Sequence, residues 1–317
     1  VAQLARDHPG RTTPLSLSSE RRIVTQLLAD HPYALFVFAD TDARHWHFVN
    51  VSYQRGAPGG GGEAPTMQTA AGRAPPAAES APPPVERIAM LDLASLDNGA
   101  GASAPAIQQR HDAAFDVEAV TQAFFTAYRE TFERAEAQIT GFDDPEELRL
   151  FTQRLFNRLL FIVFLERKGW LTFAGRTDYL RALWEAYRDA PLEGESNFYR
   201  DRLKLLFFSG LNNPANTDIV GIHAKGPIPE RIGQVPYLNG GLFEQAALDR
   251  RDGVTVPDAV LADAIESLLT HYNFTVTEST PLDVEVAVDP EMLGRIFEEL
   301  VTGRHESGSY YTRKPIV

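Results

Sequence analysis

The stretch Pro145-Glu-Glu-Leu-Arg-Leu-Phe-Thr-Gln-Arg-Leu-Phe-Asn-Arg-Leu-Leu-Phe-Ile-Val-Phe-Leu-Glu-Arg-Lys168 decides what kind of fold this chain adopts. Apolar residues recur through it at helical spacing, and between Leu159 and Leu165 nearly every side of the helix is apolar. A helix without a polar face belongs in the middle of a core. The pattern therefore predicts a buried central helix over 145–168, closed by Gly169, with Phe161 among its core rings. One polar patch interrupts it. Gln153, Arg154, Asn157 and Arg158 occupy two adjacent stripes, and such a cluster on an apolar helix is costly unless it is paired. Two roles are open to it: an internal network that locks neighbouring helices, or contact with an anionic partner.

Working outward, Val117, Val120, Phe124, Tyr128 and Phe132 recur on one face of a long helix that starts near Asp116. Beyond the central helix, further helices are expected at about 177–189, 197–211 and 257–271, the second closed by Gly210 and the Asn212-Asn-Pro turn. Between 214 and 257 glycine and proline punctuate an irregular stretch, in which Asn239-Gly-Gly-Leu-Phe-Glu244 reads as a structural corner. Phe274-Thr-Val-Thr and Val284-Glu-Val-Ala-Val288 are strand-like. Residues 116–288 are thus predicted to form a helical domain, making the protein mainly α.

The first 97 residues read differently. An amphipathic helix is expected at 18–30, capped by Ser18 or Ser19, with Ile23, Leu27 and Leu28 turned inward. Three strand-like runs follow, Tyr33–Phe38, His45–Tyr53 and Arg87–Leu93, with Asp40-Thr-Asp-Ala as a turn between the first two. A small α/β domain, an antiparallel sheet with a helix beside it, is the economical arrangement. Within it, residues 55–86 are rich in Gly, Pro and Ala and poor in residues that bury apolar surface, so they are expected to be a disordered insertion. The run Gly59–Gly62 is no phosphate loop, because Glu63 and Pro65 stand where a Lys-Ser/Thr pair opening a helix is needed. A second stretch of small residues predicts a linker over 98–115.

Composition narrows the function classes. With 44% hydrophobic and 23% charged residues the chain is ordinary for a soluble protein. It has no cysteine, hence no disulfide or thiolate metal site, which fits a reducing cytoplasm. No signal peptide and no apolar run of roughly 18 residues occurs, so a soluble, cytoplasmic protein without a membrane partner is expected. A net charge of −13 opposes DNA binding over the whole surface and confines it to local basic patches. The candidates are the central helix, with Arg154, Arg158 and Lys168, and the end of the chain. His45 and His47 lie on one strand face without a third metal ligand nearby, and Glu166-Arg-Lys168 has a nuclease-like Glu-x-Lys spacing but ends a helix instead of lying on a strand. No metal site is assigned.

The last stretch carries the most chemistry. Asp289-Pro290 can cap a helix whose Met292, Leu293, Ile296, Phe297 and Leu300 form one apolar stripe, closing at Gly303. It hands the chain to Gly308-Ser-Tyr-Tyr-Thr312, where amides beside a glycine and a threonine hydroxyl can hold a carboxylate and tyrosine rings can wall a flat ligand.

This helix and loop resemble the entry to the methyltransferase core of restriction–modification and phage-defence enzymes that methylate adenine in DNA, the type II restriction enzyme methylase subunit family with its BREX-type methylases. Three further phrases match the same family in the same order: Phe151–Leu171; Asn197-Phe-Tyr with Leu205–Leu211; and Pro236-Tyr-Leu-Asn-Gly-Gly-Leu-Phe-Glu244. The resemblance covers about two-thirds of the chain. It implies S-adenosylmethionine as cofactor, with Thr312 on its methionine carboxylate and Gly308, Tyr310 and Tyr311 lining the pocket. It further implies double-stranded DNA as substrate and defence-system subunits as possible partners, and makes 289–317 the start of an α/β methyltransferase core. One departure stands out: the family has Pro directly after the Thr, and here Arg313 takes that place, with Pro delayed to 315. The Asn/Asp-Pro-Pro-Tyr/Phe phrase that holds a flipped adenine does not occur, so the catalytic residues are expected beyond Val317 and the chain alone is expected to be inactive. The other reading is a non-catalytic helical interaction or scaffold module with no cofactor site.

Overall fold

The computed structural model describes residues 17–31, 34–39, 45–54, 64–73, 91, 103–214, 228–238, 240–272, 274 and 283–285. These fall into two compact units, one drawn from residues up to 120 together with 283–285, the other from 121 to 274. The molecule is mainly helical, with one small sheet.

In the first unit, α1 (Leu17–Leu27) precedes β1 (Phe36–Ala39), β2 (His45–Gln54) and β3 (Ala64–Arg73). The sheet order is β1-β2-β3-β4, antiparallel except that β4 (Asp283–Glu285) runs parallel to β3. Side chains alternate across a strand. Val49 and Val51 pack with Val24 of α1, with Leu28 just after it, and with Phe36, Phe38 and Met67, while Leu27, expected to turn inward, is 40% exposed. Asn50 points the other way, to α2 (Ala104–Ala114), where it and Gln108 donate to Asp112 at 3.0 and 2.8 Å.

Three expectations are corrected here. Residues 64–73 lie inside the segment assigned to disorder, yet they pair with β2 along their whole length, from Gln54↔Ala64 to His45↔Arg73. Composition measures how much side chain a segment can bury, and a strand added to an existing aromatic, β-branched strand can be held by its backbone ladder, here with Met67 buried. The linker assigned to 98–115 contains α2. Its Ser103 side chain accepts from the Ala106 amide and Pro105 sits in the first turn, so the alanines that resemble spacer residues are helix formers behind a good cap. Finally, 283–285 rejoin the sheet of the first unit, although the sequence groups them with the helical domain. Of the run Arg87–Leu93 only Leu91 is described, and the Asp40–Ala43 turn is outside the described residues.

The second unit is helical: α3 (Val117–Gln138), most of which belongs here, α4 (Pro145–Arg167) and α5 (Tyr179–Asp189) lead to a wide run over Tyr199–Leu203 and Leu205–Leu211. The short α6 (Ile228–Ile232) and α7 (Asp258–Ala262) follow, and α7 widens into Asp263–Leu269. α4 is the centre. Leu155, Phe156, Leu159, Leu160 and Ile162 are all buried, and Phe132 and Tyr128 of α3 meet Phe156 edge-on. Phe161 departs from expectation, since it is 37% exposed and touches Phe243 at the rim of the core.

The runs at 199–211 and 263–269 are π-helical, where α-helices are expected. Periodicity cannot time a helix that is buried all round, and Leu205–Leu211 is buried at every position. Gly210 belongs to that crowding, because a Cβ there would stand 2.7 Å from Ile232 Cδ1. Gly233 has φ +71° where the chain leaves α6 and bridges Thr172 through Gln234, and a Cβ would lie 2.3 Å from the Thr172 carbonyl oxygen.

Candidate functional site

The polar patch of α4 divides between interior and surface. Arg158 is 2% exposed and makes a bidentate ion pair with Asp249, at 2.7 and 2.9 Å. Its remaining donors reach the Leu242 and Glu244 carbonyls, and its guanidinium lies over the Phe207 and Phe208 rings. Every part of this cation is used within the fold, so contact with DNA by Arg158, one of the two sequence readings, is replaced by the internal one. Asp249 in turn accepts from the Ala246 amide. The result is that three stretches meet at one ion pair: α4, the wide run with Phe207 and Phe208, and the turn Gly241–Phe243, whose Phe243 is buried. They belong to the three described phrases of the family resemblance.

A second buried charge cluster was not legible in the sequence. Glu195 accepts from both Arg202 and Arg231, all three nearly fully buried, and Arg202 also donates to the Arg231 carbonyl. Two arginines share one carboxylate, and the Arg231 Nε has no hydrogen-bond partner. No sequence spacing links residue 195 to 231; the one available signal is arginines set among leucines and phenylalanines.

Glu166, the acid of the Glu-x-Lys pattern, takes a structural position. Its carboxylate accepts from the Leu180 amide at the start of α5, where the N-cap residue Asp178 makes no such bond. Burial pushes its pKa up to about 7, against the opposing pull of the Leu180 amide and of Arg167. No group of three metal-ligating side chains occurs among the described residues. His47 lies 3.2 Å from both Glu20 carboxylate oxygens, which ties β2 to α1.

Arg154 and Lys168 remain on the outside, half-buried and exposed respectively, and neither is in an ion pair among the described residues. Three large aromatic side chains are exposed among the described residues: Phe161, Trp170 and Tyr237. The helix at 289–301 and the loop residues Gly308, Tyr310, Tyr311 and Thr312 are outside the described residues. No described helix is long and apolar enough to cross a membrane.

The chain is 32% identical over 167 residues to a protein of Methanocaldococcus jannaschii provisionally named a type II restriction enzyme and methyltransferase. The matched region is 51% of this chain and 13% of that protein, so the chain spans a small part of its relative. No family model and no solved structure matches the chain.

Proposed function

We propose that this chain is the amino-terminal part of an S-adenosylmethionine-dependent DNA adenine-N6 methyltransferase of a restriction–modification or phage-defence system. The observation that carries this reading is the similarity to the archaeal restriction enzyme and methyltransferase. The meeting of three family-like phrases around Arg158 supports it, because it gives those phrases one structural reason to occur together. In this reading the helical unit is a rigid scaffold, and the loop Gly308–Thr312 forms one edge of the cofactor pocket. S-adenosylmethionine, when bound, supplies an activated methyl group. The chain's own part is to hold it, with the Thr312 hydroxyl and neighbouring amides on the carboxylate and Tyr310 and Tyr311 as walls. Double-stranded DNA is the substrate, and partner subunits of a defence system are compatible with it.

The test is calorimetric titration of S-adenosylmethionine into the complete gene product and its Thr312→Ala variant, with methyl transfer from labelled cofactor to duplex DNA as second readout. Loss of one hydrogen bond to a charged carboxylate should cost about 1.5 to 3 kcal/mol, roughly 10- to 150-fold in affinity. The 317-residue chain by itself should bind only in the millimolar range or more weakly, since it holds one edge of the pocket. Unchanged affinity in the variant removes the loop from the cofactor site. Absence of cofactor binding and methyl transfer in the complete protein favours a scaffold module.

A further inference from the structure

We propose that the outer line of α4 is the seat of the helix expected at 289–301, and so fixes where the loop at 308–312 begins. From Phe151 to Leu165 every position of α4 is buried except Arg154, Asn157 and Phe161. With Leu150, which is 43% exposed, they stand at intervals of four, three and four residues, the period that keeps side chains on one line of a helix. A helix enclosed on its other sides thus presents one narrow line to the outside, about 16 Å long. The ends of that line are apolar, Leu150 and Phe161, and the Phe161 ring packs on buried Phe243 at 5.8 Å between centroids.

The sequence supplies a cover with the same period. Within 289–301, Leu293, Ile296, Phe297 and Leu300 recur at three and four residues, with Met292 on their flank. Two helices whose apolar lines share this period pack side by side at roughly 8 to 10 Å, each side chain entering a gap between side chains of the other. From Leu293 to Leu300 is about 10 Å, so the line on α4 is long enough to receive it.

Charge agrees with this pairing. The line on α4 holds one cation, Arg154, and no carboxylate, whereas 289–301 holds Asp289, Glu291, Glu298 and Glu299 against the single Arg295. The long stem of Arg154 can lie in the seam while its charge stays at the rim. A second copy of the chain laid on the same line would bring one Arg154 close to the other with no acid on either line, and a duplex has no use for Leu150 and Phe161. Inside the unit α4 closes on Asp249 through Arg158; on its outer line it carries the segment that reaches Gly308 seven residues after Val301. The seat does not depend on the methyltransferase reading, but under that reading it makes α4 the support that positions the cofactor loop.

The chain has no cysteine, so introduced pairs can be read without background. The test is disulfide formation under mild oxidation in the 317-residue chain, with Leu150→Cys or Phe161→Cys paired in turn with Leu293→Cys, Phe297→Cys or Leu300→Cys. Arg295→Cys, on the opposite side of the segment, is the control partner. Bridging needs Cα atoms within about 7 Å, so at least one of the line pairs should close within a single molecule about tenfold faster or more than the control pairs. Leu150 and Phe161 are at the surface, so replacing them empties no core, and thermal unfolding of each reduced variant controls for folding. Trypsin gives an independent measure without cysteine: Leu150→Glu/Phe161→Glu sets acids against the acidic segment and should speed cleavage after Arg295 about tenfold or more. Bridging no faster than in the controls, or unchanged cleavage after Arg295, overturns the proposal. Bridges formed only between molecules make the occupant a second copy and overturn it too. None of these outcomes touches the cofactor titration, which decides the methyltransferase reading by itself.

Discussion

Arg158 shows how much can depend on one cation once water is removed from it. Its pair with Asp249 is closed on all sides, so truncating one partner leaves an uncompensated buried charge. Asp249→Ala is expected to cost about 3 to 5 kcal/mol in denaturant unfolding, whereas Arg158→Met/Asp249→Leu should recover most of that loss, because an apolar pair of similar volume needs no counterion. A double variant as unstable as the single one would mean that the bonds to Leu242 and Glu244 matter more than the charge. Glu166 gives a residue-scale prediction of different kind. Its folded pKa, about 7, is raised above the ordinary 4.5, so the folded state holds its proton more tightly than the unfolded state does. Stability from this group is therefore greatest below about pH 4.5, falls as pH rises to about 7 and is level above that, by about 3 kcal/mol in all. Glu166→Gln keeps an acceptor for the Leu180 amide and should abolish that decline, matching wild type near pH 5 and exceeding it near pH 8 in urea titrations. Parallel profiles in the two proteins would place the titration elsewhere.

Among the elements, those with a single buried face were legible and those with none or two were not. The face of α3 follows from spacing, because one side meets water and the other the core, whereas α1 turns Val24 inward and leaves Leu27 exposed, a rotation that so short a helix does not fix by spacing alone. α4 was placed correctly, but its continuous apolar run hid the fact that Phe161 lies at the rim, so Phe161→Ala should cost about 1 to 2 kcal/mol and not the 3 to 5 of a core ring. A calorimetric melt of that variant checks it, and a loss above about 3 kcal/mol would put the ring in the core after all. β3 was illegible because its stability is borrowed from β2, and α2 because its cap and its alanines read as linker chemistry. The joint between α4 and α6 was legible only as a glycine: Gly233→Ala forces a left-handed alanine against the Thr172 carbonyl and should cost about 2 kcal/mol or more by chemical unfolding, with a neutral result showing that the bridge can yield. The candidate cofactor loop was read from resemblance alone, since amide and hydroxyl donors beside tyrosines are common in turns that bind nothing.

Taken whole, the molecule is strongly acidic, and a polyanion reaching it must find the few uncompensated cations. With Arg154 and Lys168 as the phosphate contacts, the logarithm of duplex DNA affinity should fall with the logarithm of salt at a slope of about −2. Titrations at several salt concentrations measure it, and a slope steeper than about −5 would require a far larger basic surface than these two cations supply. The buried pair at the centre of the helical unit also bears on how the chain comes into being. Arg158 and Asp249 are separated by 91 residues, so on the ribosome the cation emerges long before its counterion. At about 5 to 20 residues per second that interval is roughly 5 to 20 s. Throughout it the most apolar helix of the protein carries a charge it cannot bury, which should hold the nascent segment open to water and postpone collapse until Asp249 has been synthesised.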